Sequence, residues 1–405
     1  MEAKIDFIPG GTVTSPEGFY AGATSAGIKK RDTDRLDLGI LFSEVPCVAA
    51  ALFTTNRVKA APVVLSRRRL RQGRALAVVV NSGCANAFTG EKGLKDAGRM
   101  AKLAAEGIGI LPEDVLVAST GVIGKRLPMR RIGARIDRII LSSDGGRDLA
   151  KAIMTTDTVP KEVAVAVGAD GGEFTIGGIA KGSGMIHPAL ATLLCLLATD
   201  AVVEPDFLKL ALKRAGDVTF NMVSIDGDTS PNDMVLLMAN GLAGGEVISE
   251  GSKYAGAFQQ ALEGVCVSLA RSIAADGEGA GRLIEVTVSG AATLAEARLA
   301  ARTVVSSPLV KTAVYGGDPN WGRVMAAVGR SGAKVVESKV DLYLGDICLV
   351  GEGKPLPFSR RSAARVLRGK EVRLSLNLNL GTGTATAWGC DLTPEYVAIN
   401  SEYTT

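Results

Sequence analysis

Residues 179–201 read IAKGSGMIHPALATLLCLLATDA. A Gly-Ser-Gly bend at 182–184 and Pro188 interrupt the backbone just before Ala191-Thr192, and a strongly apolar run follows that would bury whatever comes after the threonine. The most apolar part, Ala189 to Thr199, is far short of the roughly 20 residues a bilayer span needs. Thr192 in this setting has two readings. It is a β-branched core residue, or it is a nucleophile whose hydroxyl attacks the Ala191 carbonyl. The resulting N-to-O shift gives an ester that water opens, and the freed α-amine, with an ordinary pKa of about 7.7 to 8.0, becomes the local base.

Outward from this segment, strand-like apolar runs bounded by Gly or Asp recur at Ala75–Asn81, Asp114–Ala118, Val163–Val167, Leu283–Val288, Val335–Leu344 and Val372–Leu380. Helical periodicity alternates with them at 93–109, at 204–216 with Pro205 near its start and Gly216 at its stop, and at 359–370. The mixture predicts an α/β or α+β sandwich. No solenoid-length repeat and no Pro-rich, Ser-rich or charged linker separates domains, so the parts are expected to pack closely.

Composition removes several classes of function. The chain has 405 residues, 47% hydrophobic and 22% charged, the balance of a globular protein and not of a disordered one. Aromatics are only 4%, which argues against stacking platforms for nucleic acid, and a net charge of +4 is too small to imply such a partner. The basic run RRRLRQGR (67–74) reads as a solvated helix flank. His187 is the sole histidine, so multi-histidine zinc sites are ruled out, and no metal site is expected. Six cysteines without a CxxC pair read as reduced and mostly buried, and with no leader-like N-terminus a cytoplasmic location without a membrane anchor is expected. GxSxG and GxxxxGK[ST] are absent, and GTGTATAW (381–388) has no acidic partner about twenty residues on. NSGCANAFTG (81–90) reads equally as an anion nest or as a strand-to-helix turn.

The blocks GFYAGATSAGIK (18–29), FTTNRVKAAPVVLSR (53–67), NSGCANAFTG, STGVIG (119–124), AIMTTDTVPK (152–161), KGSGMIHPALAT (181–192), DGDTSPND (226–233), DGEGAGR (276–282), SPLVKTAVYGGDPNWGR (307–323) and AWGCDLTPEYVAINSEYTT (387–405) run nearly end to end. Together, and in this order, they resemble the ornithine acetyltransferase family of the arginine pathway, self-cleaving enzymes that move acetyl from N-acetylornithine to glutamate. The resemblance implies a layered α/β sandwich of helices and two sheets, processed between Ala191 and Thr192 into two associated chains, 1–191 and 192–405. The first piece carries 26 Lys and Arg against 19 Asp and Glu, the second 20 against 23, so their net charges, +7 and −3, weakly favour association.

Residue by residue, the resemblance implies Thr192 as nucleophile and Thr120 with Gly121 as the oxyanion hole. Thr155, Lys181, Thr192, Glu278, Asn400 and Thr405 are the implied substrate contacts. A lysine suits a carboxylate and a glutamate an ammonium, as an amino-acid substrate requires. The implied scheme is ping-pong through an acetyl-threonine, with no metal or obligatory cofactor; acetyl-CoA as a second acetyl donor stays open. A dimer of cleaved protomers is expected. A self-processed amidase or aminopeptidase is the alternative enzyme, and an uncleaved scaffold the alternative without catalysis. His187 is read as packing or capping the bend, Cys195 as a small buried hydrophobe, and the Asp226, Asp228 and Asp233 cluster as a structural turn bordering the site.

Overall fold

Leu194–Val203 is buried at every position but one, as expected of a strand with neighbours on both sides and layers on both faces. The structure is a computed structural model that describes residues 4–29, 35–169, 172–187 and 193–402. Its strands, in chain order, are β1 (Lys4–Phe7), β2 (Phe19–Thr24), β3 (Leu38–Phe53), β4 (Arg74–Asn81), β5 (Val115–Ser119), β6 (Lys161–Ala169), β7 (Gly172–Lys181), β8 (Leu194–Val203), β9 (Val223–Ser224), β10 (Met234–Ile248), β11 (Leu283–Ala291), β12 (Asp341–Leu344), β13 (Ile347–Gly351), β14 (Lys354–Pro355), β15 (Glu371–Asn377) and β16 (Gly383–Cys390). They make two mixed sheets, so the expected layered α/β sandwich is what forms. The larger runs β1-β6-β7-β8-β10-β3-β4-β5 with β2 paired to β3, and the smaller runs β14-β13-β12-β15-β11-β16-β9.

Helices Pro205–Val218 and Ala255–Ala275 lie on one face of the large sheet, and Ala255–Ala275 also touches β11 and β16, so it sits between the sheets. One apolar cluster runs through this layer, from Val165 and Leu197 through Phe258 and Leu269 to Val286 and Leu374. On the opposite face, helix Gly146–Ile153 packs on β2 and β3, whereas Gly90–Ile108 packs on the alternate residues Ala77, Val79, Val115 and Val117 of β4 and β5, which point away from the face that Gly146–Ile153 covers. Glu204 caps the start of Pro205–Val218 with its carboxylate on the amides of Asp206 and Phe207, and Gly109 ends Gly90–Ile108 in the left-handed conformation.

Three expected elements come out shifted. The run Val335–Leu344 is a strand only from Asp341, because a 3-10 turn at Glu337–Lys339 interrupts it. The periodicity at 93–109 belongs to a helix that begins at Gly90, and Val372–Leu380 stops pairing after Asn377, where Asn379 takes a positive φ. Arg67, Arg68 and Arg69 form the last turn of helix Ala61–Arg69 and Arg71 and Arg74 follow it; all but the half-buried Arg69 are exposed, as in a solvated flank.

The most consequential feature is the position of β8 and β10. They pair with one another in parallel, while β8 also pairs antiparallel with β7 and β10 antiparallel with β3. Two strands from beyond residue 192 are thus wedged between strands from before it. Leu197, fully buried in β8 against the helix layer, should report on this wedge. Leu197→Ala should lower unfolding stability by about 2–5 kcal/mol in a denaturant titration; a change under about 1 kcal/mol would mean that the central strand tolerates loosening.

Candidate active site

The turns at one edge of the wedge enclose a cavity of about 260 Å³. Thr120, Gly121, Thr155, Lys181, Glu278 and Asn400 all line it, so six residues singled out in the sequence, from five separate segments, face one space. Ala191, Thr192 and Thr405 lie outside the described residues. Leu193, the next residue after Thr192, is held by its amide on Asp233 Oδ1 at 3.1 Å, and its carbonyl accepts from Met234 N. Leu194 pairs across the sheet with Lys181, so β8 begins beside the cavity's lysine.

Thr120 and Gly121 follow directly from β5. The Thr120 amide donates to Asn81 O at 3.0 Å, which ties the turn to the end of β4. Gly121 has φ +122°, and a Cβ there would come within 2.5 Å of the Gly83 carbonyl carbon. Backbone meets backbone at this point, so only glycine fits. The 81–90 segment is a strand-to-helix turn with Gly83, Asn86, Phe88 and Gly90 at positive φ. Its Asn81 side chain donates to Cys84 O and accepts from Ser119 Oγ, bracing the 119–121 turn.

Lys181 is buried at the end of β7, 3.6 Å from Asp157. Asp157 also receives Lys161 at 2.7 Å and the amides of Gly182 and Thr155, while Lys161 reaches Asp276 at 2.6 Å. Burial alone would raise the Asp157 carboxyl, but Lys181 and Lys161, joined by the Thr155 amide, outweigh it and hold it well below the ordinary carboxylate range. Two buried cations therefore meet two carboxylates, and the cluster is neutral. Among the described residues Lys181 has a single carboxylate partner, and it lines the cavity, where an ammonium can pair with an anionic group.

Glu278 stands on the acidic wall with Asp226 and Asp228. A Cβ on Gly184 would lie 2.4 Å from its carboxylate, so the missing side chain makes room for the acid. Asn400 Nδ2 donates to Glu278 Oε2 at 2.8 Å and to Tyr396 O, so the final helix, Pro394–Glu402, is docked onto the site. Tyr396 lines the cavity too, its hydroxyl kept protonated by burial and by Asp226, Glu278 and Asp228.

The aspartate cluster is a turn, as expected, but it does more than border the site. Asp226 accepts from the Met185 and Ile186 amides, at 2.5 and 2.9 Å, and so shapes the 183–187 bend. Asp226 and Asp233 are both pushed up by burial. No group of acids, cysteines and histidine suited to a metal occurs among the described residues. His187 is half-buried, 3.1 Å from Ser224 Oγ, as a packed bend residue; burial lowers its pKa. Cys195 is fully buried and its thiol is pushed far up by burial, and all six cysteines are free.

Asp157, Asn232 and Tyr396 were not singled out from the sequence. Asp157 lies inside TTDT and Asn232 inside DGDTSPND, but nothing in their local sequence distinguishes them from turn residues.

The ArgJ family model matches residues 20–405. The arginine biosynthesis bifunctional protein ArgJ of Dehalococcoides mccartyi is 53% identical over 405 residues, all of this chain and all of its own. A crystal structure of the arginine biosynthesis bifunctional protein from Bacillus halodurans is 45% identical with TM-score 0.50, covering 50% of this chain and 96% of that chain. An ornithine acetyltransferase from Mycobacterium tuberculosis, solved with ornithine, is 40% identical with TM-score 0.43, covering 47% of this chain and 100% of that chain. No described helix is long and apolar enough to cross a membrane.

Two variants test the site. Asp157→Asn leaves a buried lysine uncompensated and should cost about 3–5 kcal/mol at pH 7. Because the folded carboxyl titrates below its ordinary 3.8, the aspartate's contribution is complete above about pH 4 and is lost as pH falls; the gap between wild type and variant in denaturant titrations should narrow in that range. Gly184→Ala pushes on Glu278 and should raise KM for a cationic amino-acid substrate about tenfold or more with a near-native melting temperature; unchanged kinetics would remove Glu278 from substrate binding.

Proposed function

The chain belongs to the ArgJ family, and from that membership and the chemistry of the cavity we infer its reaction. It is an acyltransferase of arginine biosynthesis that carries acetyl between N-acetylornithine and glutamate. The observation that carries the assignment of residues is the convergence of Thr120, Gly121, Thr155, Lys181, Glu278 and Asn400 on one cavity, whose lining includes a lysine as well as the carboxylates of Glu278, Asp226 and Asp228.

We propose that the chain cleaves itself between Ala191 and Thr192 and that Thr192 is the nucleophile. Its Oγ attacks the acetyl carbonyl while its own amine takes the proton. The Thr120 hydroxyl and the Gly121 N–H stabilise the oxyanion, a role in which losing one donor typically costs about 2.7–4 kcal/mol of barrier. Ornithine leaves with the proton, glutamate attacks the acetyl ester, and N-acetylglutamate departs. Lys181 pairs with the substrate α-carboxylate and Glu278 with an ammonium, while Thr155, Asn400 and Thr405 fix the pose.

The solved Bacillus halodurans chain, covered almost whole by half of this one, supports two-piece processing. The wedge of β8 and β10 supports a tight association of the pieces 1–191 and 192–405, because separation would strip both flanks of the β8–β10 pair. No step in this scheme draws on a metal or bound cofactor. Acetyl-CoA as a second donor to Thr192 belongs to the same proposal, supported by the word bifunctional in the names of relatives. So do a dimer of cleaved protomers and a cytoplasmic location.

Intact mass and N-terminal sequencing of fresh protein should give pieces of 191 and 214 residues, the second beginning Thr-Leu-Leu-Cys. Thr192→Ala should stay one chain and show no detectable transfer. A cleaved, active Thr192→Ala protein would sink the mechanism, and ornithine release that does not need glutamate would make the enzyme an amidase.

A further inference from the structure

Of the three carboxylates that line the cavity, two are already engaged by the protein. Asp226 accepts the amides of Met185, Ile186 and Asp228, and Glu278 takes the Asn400 side chain on Oε2. Asp228 differs. It lines the cavity and is exposed, and among the described residues its carboxylate accepts no hydrogen bond and makes no ion pair. Its backbone amide donates to Asp226 Oδ1 at 3.3 Å, which fixes the residue in its turn and leaves the side chain to water or to a ligand. The charge is felt inside the cavity, because burial, Asp226 and Glu278, and after them Asp228, keep the Tyr396 hydroxyl protonated. Glu278 and Asp228 thus act on the same point of the lining. His187 offers Asp228 no counter-charge, since burial and Arg302 lower its pKa from the ordinary 6.5 and leave the ring neutral at pH 7.

The acetyl-transfer reading, on which this inference rests, supplies the cation. N-acetylornithine and glutamate both carry an α-carboxylate but are opposite at the far end of the side chain, where one has an ammonium and the other a carboxylate. Both must occupy one cavity in turn, so a fixed charge beside the side chain attracts one and repels the other. An ammonium has three donors, and Glu278, with one oxygen taken by Asn400, cannot satisfy all of them. We propose that Asp228 is a second carboxylate partner of the side-chain ammonium of N-acetylornithine and opposes the side-chain carboxylate of glutamate. It is a specificity residue that favours the acetyl donor over the acceptor in the free enzyme. Its exposure keeps the repulsion small enough for glutamate to enter the acetyl-enzyme.

The test compares N-acetylornithine with N-acetylnorvaline, which has the same carbon chain without the side-chain ammonium. For wild type and Asp228→Asn, which keeps the shape and removes the charge, kcat/KM for each donor is measured by release of the free amino acid at saturating glutamate. Where N-acetylnorvaline binds without being turned over, its Ki against N-acetylornithine supplies the comparison. The preference for N-acetylornithine over N-acetylnorvaline should fall about fivefold in the variant, while kcat/KM for glutamate, which reports the second half-reaction alone in a ping-pong scheme, should not fall. Asp228→Lys, which reverses the charge, should lower the preference further. A preference that changes less than about twofold, with both donors losing equally, would overturn the inference and leave Glu278 as the sole carboxylate for the ammonium. Asp228→Ser gives the same reading should the asparagine variant not fold. Wild-type protein that releases no ornithine from N-acetylornithine would overturn the acetyl-transfer reading itself, an outcome distinct from an unchanged preference.

Discussion

Everything in the site depends on β8 and β10 finding their hydrogen bonds between β7 and β3. A strand whose N–H and C=O groups are buried must pair on both sides, and here each of the two strands has one neighbour from its own half of the chain and one from the other. The seam this creates ends at the cavity. Leu193 is fixed by Asp233, Lys181 sits across from Leu194, and Asn232, two residues before β10, reaches the carbonyls of Ala85 and Ser119. A site assembled from both halves requires the halves to fold as one unit first.

Charge imposes the second constraint. Placing Lys161 and Lys181 inside the protein is tolerable only because Asp157 and Asp276 enter with them. Lys161 is shared between both acids, whereas Lys181 touches one of them at a longer distance. The arrangement fixes where the lysine head group stands without saturating it. It also ties the TTDT motif to the cavity, since Asp157 takes the Thr155 amide and so couples a cavity-lining position to the buried cluster.

How much of this was legible in the sequence differs by residue. The strands at 75–81 and 283–288 and the helix from 205 came from apolar periodicity and from Pro and Gly punctuation, because local chemistry specifies them. The resemblance of whole blocks singled out Thr120, Lys181, Glu278 and Asn400, which no periodicity marks. Asp157 and Asn232 were passed over because their roles arise between segments: Lys181 is 24 positions from Asp157, and Ala85 is 147 from Asn232. A side chain whose partners are a backbone carbonyl in another segment, or a lysine on another strand, leaves no spacing to recognise. The break of the strand before Asp341 escaped for a different reason. Its apolar residues Val335 and Val336 are strand-like alone, and only the turn at 337–339 reveals the interruption.

Glycine at two turns beside the cavity suits a small substrate. An amino acid offers few atoms to grip, so the walls must close in until turns touch turns. Gly121 lies against the backbone of Gly83, and Gly279 would place a Cβ 2.6 Å from the amide of Tyr396, where the final helix begins. Side chains at these points would hold the walls apart by the width of a methyl group. The Thr120-Gly121 turn would then be displaced from Lys181 and Glu278, which line the same cavity, and donors that are not held in place before a reaction lose most of their value. Close backbone packing is therefore how residues from five separate segments, Thr120, Gly121, Thr155, Lys181, Glu278 and Asn400, come to line one cavity of about 260 Å³.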